Sequence, residues 1–88
     1  MPALDGVAAL LDGAEPPGVS GGSRRNATWA GGFASFDEGV APWRRRLLTD
    51  ATTSGGLLVA VPQDAAAGLP GAVIGRLRDG PPGTIAVR

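Results

Sequence analysis

The chain is 88 residues long, with 15 glycines, 8 prolines and eight basic residues balanced by eight acidic ones for a formal net charge of zero. It contains no cysteine and no histidine, and every basic residue is an arginine. That composition excludes a disulfide framework, a thiolate nucleophile or metal site and a histidine general base, and the total charge implies no nucleic-acid partner and no membrane surface.

At this length the chain makes one domain at most, burying only about 60–65% of its unfolded surface. An apolar content of 43% argues for folding all the same. No apolar run approaches the ~18–20 residues of a membrane span. The amino-terminal stretch holds Asp5 and Asp12 but no basic residue, so no secretory signal is read there and a cytoplasmic location is expected.

Residues 1–12 predict one short helix over 3–12. Leu4, Val7, Ala8 and Leu11 fall at i, i+3, i+4 and i+7, Asp5 sits in the first turn, and Gly13 is a natural stop. Residues 13–46 read as a Gly/Arg-rich loop region without sustained periodicity, unusually long for a small compact domain. Trp29, Phe33, Phe36 and Trp43 are expected to pin that loop onto the core. Arg44-Arg45-Arg46 reads as a solvated face, with phosphate contact as the alternative.

Residues 47–88 are expected to form the strand and hairpin core. Leu57-Leu58-Val59-Ala60-Val61, bounded by Gly55-Gly56 and Pro62, suits a strand buried on both faces. Gln63–Leu69 has room for one or two helical turns. Ala72–Arg78 and Thr84–Val87, joined by Asp79-Gly80-Pro81-Pro82-Gly83, read as a β-hairpin. The fold class is therefore α+β.

Two glycine pairs carry the candidate site. Gly55-Gly56, preceded by Asp50, Thr52, Thr53 and Ser54, offers hydroxyl donors beside permissive backbone, a combination that can hold an anion. The bland alternative is a tight turn into a core strand. It is not a Walker-type loop, because the glycines precede the strand and the chain has no lysine. Gly21-Gly22 is followed by Arg25 and Asn26, which could grip a phosphate or carboxylate, or could simply be solvated.

Both segments, Gly21-Gly22-Ser23-Arg24-Arg25-Asn26 and Leu47-Leu48-Thr49-Asp50-Ala51-Thr52-Thr53-Ser54-Gly55-Gly56-Leu57-Leu58, followed by the ending Ala72-Val73-Ile74-Gly75-Arg76 through Gly83-Thr84-Ile85-Ala86-Val87, resemble the C-terminal part of the selenophosphate synthetases (selenide, water dikinases). These belong to the aminoimidazole-ribonucleotide-synthetase-like (PurM-like) superfamily. The resemblance spans almost the whole chain. It departs from the family at Ala51-Thr52, where Pro-Gln is usual, and in a shortened helix after residue 61. The family's N-terminal ATP-binding domain, with its reactive Cys or selenocysteine, its Lys and its magnesium-binding aspartates, has no counterpart here.

The resemblance implies a partial PurM-like C-terminal domain across residues 1–88, with Met1 an internal start or the chain a piece of a longer one. It implies ATP and Mg²⁺ in the complete enzyme and none bound by this chain alone. Thr53, Ser54, Gly55 and Gly56 would line the cleft and Gly21, Gly22, Arg25 and Asn26 its other lip. Asp50 would cap the loop or join a metal's outer shell. No residue is assigned a catalytic role or a direct metal bond. The partner implied is the missing ATP-binding domain or a chain that supplies it, with apolar surface exposed where it docks. The alternatives are a free-standing non-catalytic interaction module completed by a homodimer, a remnant of the fold, or a fragment of another ATP-dependent enzyme of the superfamily.

Overall fold

The computed structural model describes residues 2–52 and 55–88. Its order is α1 (Val7–Leu11), α2 (Gly21–Ala30), β1 (Ala34–Phe36), α3 (Pro42–Leu48), a 3₁₀ turn (Ala66–Gly68) and β2 (Ile85–Val87). Over the described residues the chain is a small mixed α/β unit of three helices and a two-stranded sheet. None of the helices among the described residues is long and apolar enough to cross a membrane.

α1 is shorter than the periodicity predicts. Gly6 takes a left-handed conformation at φ 84°, so the helix begins at Val7 and Asp5 falls outside it. Leu11 is buried and Val7 half-buried, whereas Leu4 lies exposed beyond the helix start. The chain leaves through Gly13 at φ 89° and folds back, and the Gly18 N–H donates to the Leu10 carbonyl at 3.0 Å. A Cβ on Gly18 would lie 2.9 Å from that carbonyl oxygen, so only glycine allows this approach.

The expected loop over 13–46 is instead the folded centre of the molecule. α2 starts at Gly21 because Ser20 caps it, its Oγ accepting from the Ser23 N–H at 3.1 Å. A serine cap contributes about 1 kcal/mol, enough to offset one glycine in the first turn. At the other end the Gly31, Gly32 and Phe33 N–H groups close onto the Ala27, Trp29 and Ala30 carbonyls. α3 opens on Pro42 at its first position, where the missing N–H costs nothing, and packs against α1.

Arg45 and Arg46 are not a solvated face. Arg45 donates through Nε to the Val40 carbonyl and through Nη2 to the Asp37 carbonyl, both at 2.8 Å. Arg46 Nη1 donates to the carbonyls of Leu11 at 2.6 Å and Gly13 at 2.9 Å, closing the C-terminal end of α1. Arg44 stays exposed with its guanidinium 4.7 Å from the centre of the Trp43 ring. The aromatics divide likewise. Phe33, Phe36 and Trp43 are half-buried, while Trp29 stands out in solvent with an edge-to-face contact to Phe33.

The sheet differs from the expected hairpin. β1 and β2 run parallel in the register Ala34 to Ile85, Ser35 to Ala86 and Phe36 to Val87. The Ile85 N–H donates to the Phe33 carbonyl and the Asp37 N–H to the Val87 carbonyl, each at 2.9 Å. Residues 72–78 form no strand. The connection 79–83 holds two prolines without N–H donors and closes on itself through Thr84 Oγ1 and the Pro81 carbonyl, so it does not turn β2 back onto 72–78. Nor is Leu57–Val61 a buried strand, since Leu57 is 97% and Leu58 82% exposed. The 3₁₀ turn Ala66–Gly68 lies within the span expected for one or two helical turns.

The core is correspondingly small. Among the described residues, the buried ones are Leu11, Pro16, Ser23 and Val40. The accessible surface is 7256 Å², against about 4,700 Å² for a compact protein of this mass. The radius of gyration is 14.3 Å, against about 12 Å for a compact domain of this length. Roughly 2,500 Å² of surface is therefore in excess of what a closed fold would leave open, and most of the large exposed apolar residues lie between Leu57 and Ile85.

Candidate functional site

The first turn of α2 and the loop that follows α3 meet directly. Ser20, Ser23 and Asn26 recur every three residues on α2, which puts them along one side of the helix. That side faces Asp50 and Ala51. The Ser23 hydroxyl donates to Asp50 Oδ1, and the Ala51 N–H donates to Ser23 Oγ at 3.4 Å. Ser20 Oγ lies 2.9 Å from Ser23 Oγ. Asn26 Nδ2 donates to the Asp50 carbonyl at 3.5 Å, and Thr52 Oγ1 donates to Asp50 Oδ2 at 3.5 Å. Ser23 is 3% exposed, so it is a buried hydroxyl whose partners are all supplied by this contact.

Two of the site residues expected from sequence, Asn26 and Asp50, are joined by this arrangement. Gly22 is packed into it, because a Cβ there would sit 2.9 Å from the Ala51 Cβ. Gly21 is open on that side. The Arg25 guanidinium lies along the first turn of α2, where a Cβ on Gly21 would be 3.7 Å from Nη1 and one on Gly22 4.0 Å from Nη2. By helix geometry the Gly21 and Gly22 N–H groups have no intrahelical acceptor, so with Arg25 this turn carries donors and a positive charge next to the Asp50 carboxylate.

Gly55 and Gly56 are exposed, and a Cβ on either would meet nothing within 4 Å. Gly56 is not among the glycines with positive φ, so no positive backbone angle accounts for it. Thr53 and Ser54, expected to line the cleft, lie outside the described residues. Ser23 is the residue that sequence reading passed over. Its signal was its position three residues after the capping Ser20, on the side of α2 that also carries Asn26.

The contact joins a helix start to a loop and arranges no reacting groups. Asp50 is its one carboxylate, and both oxygens already accept from side-chain hydroxyls. Among the described residues no group of three or more His, Cys, Asp or Glu could hold a metal ion. To a magnesium ion this contact offers a single carboxylate, that of Asp50. A hollow of about 770 Å³, lined in part by Ser23, opens between residues 14–17, α2 and α3. Arg46 on its wall is committed to the α1 carbonyls, and neither glycine pair reaches it.

Gly22→Ala tests the approach of the two segments. The added methyl has to displace Ala51, whose Cβ is fixed to the backbone, so a loss of about 1–3 kcal/mol is expected in urea unfolding. Gly56→Ala meets open space and should change stability by less than about 0.5 kcal/mol. Equal effects from the two substitutions would mean that α2 and the 50–52 loop are not in contact in solution.

Compared with known proteins, the chain matches no family model, no curated protein and no solved structure.

Proposed function

We propose that the chain is the C-terminal portion of an ATP-dependent selenide, water dikinase, built on a partial PurM-like C-terminal domain. In this reading it contributes cleft-closing loops and none of the reacting groups. The observation that carries the proposal is the direct hydrogen bonding between the two segments on which the family resemblance rests. Ser23 and Asp50 are 27 residues apart in sequence, yet share one bond.

The first turn of α2, with its backbone donors and Arg25 beside it, would face the phosphates from one lip. The loop through Thr53, Ser54, Gly55 and Gly56 would close from the other. Phosphoryl transfer depends on positioning and on charge neutralisation around the phosphates, and closing loops supply the first of these. ATP and Mg²⁺ belong, in this reading, to an N-terminal half that supplies the Lys and aspartates. A second reading, a free-standing non-catalytic interaction module, is favoured by the absence of Lys, Cys and His and by the large apolar surface.

The test is complementation in trans. The purified chain is mixed with the N-terminal half of a selenide, water dikinase that lacks its own C-terminal part, and AMP formed from ATP is measured with and without selenide. Selenide-dependent AMP should appear only when both polypeptides are present, and Asp50→Ala should lower it. No AMP from the mixture, while the same half is restored by its native C-terminal part, would overturn the enzyme reading and leave the interaction module.

A further inference from the structure

Residues 71–80 carry Arg76 and Arg78 on a stretch of chain that the rest of the molecule does not hold. Every residue in it is exposed, Leu77 at 88%, and none hydrogen-bonds to another described residue. No proline interrupts it, and its one acid is Asp79. The arginines before it are placed differently, Arg24 and Arg25 within α2 and Arg44, Arg45 and Arg46 within α3. A protease takes its substrate as an extended strand through main-chain hydrogen bonds. A helix must first open to be cut, whereas an exposed segment without backbone bonds is cut at no such cost. Leu57–Val61 is exposed as well, but it offers no cation to a specificity pocket that carries a carboxylate.

We propose that the bond between Arg76 and Leu77 is the site at which an arginine-specific serine protease cuts the folded chain, and that the cut parts β2 from β1. Water adds across the bond: the Arg76 carbonyl carbon takes the hydroxyl and the Leu77 nitrogen takes the hydrogen. Arg78 is the poorer site, because Asp79 after it sets a carboxylate close to the acidic pocket of the protease.

The parting follows from how β2 is held. β1 and β2 are three residues each, and the bonds at the two ends of the ladder run from the Ile85 N–H to the Phe33 carbonyl and from the Asp37 N–H to the Val87 carbonyl. Ser35 Oγ adds a long bond to the Ile85 carbonyl at 3.4 Å, and Ile85 itself is 51% exposed. A two-stranded ribbon is marginally stable even within one chain. The covalent link supplies an effective concentration in the millimolar range, and at micromolar protein a cut lowers it about 1,000-fold. The argument uses neither glycine pair, so it stands apart from the dikinase reading.

The full 88-residue chain is treated with a trace of trypsin, which cuts it only at arginine because the chain has no lysine, and the products are timed by mass spectrometry. The fragments 1–76 and 77–88 should appear first, at least about 10-fold faster than any cut within α2 or α3. Size exclusion at micromolar concentration should then separate the two. Arg76→Gln should slow the first cut by at least about 10-fold and move it to Arg78, whereas Arg78→Gln should leave it at Arg76. Both positions are exposed, so neither substitution is expected to disturb the fold. A first cut after Arg24, Arg25, Arg44, Arg45 or Arg46, or equal rates at all the arginines, would overturn the cleavage site. So would an Arg76→Gln chain that is cut first as fast as wild type. Co-elution of 77–88 with 1–76 would overturn the parting of the strands. None of these outcomes depends on AMP formation, so the cleavage and the enzyme reading fail separately.

Discussion

Arg46→Met should lower the stability of the chain by about 2–3 kcal/mol. One nitrogen of the half-buried guanidinium donates to two carbonyls at the end of α1, those of Leu11 and Gly13. Hydrogen bonds to a charged group contribute about 1.5–3 kcal/mol each, and partial exposure places this pair below the sum of two full values. Methionine keeps the apolar stem over the same surface and removes the donors, so the loss reports the bonds and not a cavity. An 88-residue domain has about 4–13 kcal/mol in all, and one with so small a core belongs near the lower end. The urea midpoint should fall by roughly 1–2 M with little change in slope. Arg46→Lys should recover part of the loss, since an ammonium can reach one carbonyl more easily than two. Arg78→Met, at an exposed position, should shift stability by less than about 0.5 kcal/mol. An Arg46→Met protein as stable as wild type would remove the bridge between α1 and α3 from the account of the fold.

Ser23→Ala should cost about 1.5–2.5 kcal/mol, a large effect for the loss of one oxygen atom. The hydroxyl is buried, donates to an aspartate and accepts from the Ala51 N–H, and all of these partners are deprived together. Asp50 and its loop should then open more often, seen as faster amide exchange over residues 50–52 with α1 unaffected. The decisive measurement is the double-mutant cycle with Asp50→Ala. If the two side chains act through one bond, the losses are not additive and the coupling reaches at least about 1 kcal/mol. Strict additivity would mean that Ser23 and Asp50 stabilise separate parts of the molecule. It would also remove the contact on which the proposed function rests.

What the sequence by itself determined is what short-range chemistry controls. The Val7/Leu11 spacing and Gly13 place α1, because side-chain period and a left-handed glycine are local properties. The span between two prolines limits residues 63–69 to a turn or two, and Ile85–Val87 is β-prone enough to be a strand wherever a partner lies. α3 was missed, since residues 42–46 read as loop and Leu47-Leu48 as the start of the strand core: the three consecutive arginines mask the helix that Pro42 opens.

The tertiary structure decided the rest. α2 is written in glycines, Asn26 and Thr28, residues of low helix propensity, and its start is held by Ser20 and by a tether to Asp50 from 27 residues away. No window of local sequence contains that tether. The same holds for the strand partner. Whether Ile85–Val87 pairs with its sequence neighbour or with Ala34–Phe36 depends on where the intervening chain is carried, and the proline-rich turn carries it away from 72–78. Apolar pattern told which residues of 57–61 seek burial, but burial requires a covering surface, and a chain this short has none left to provide.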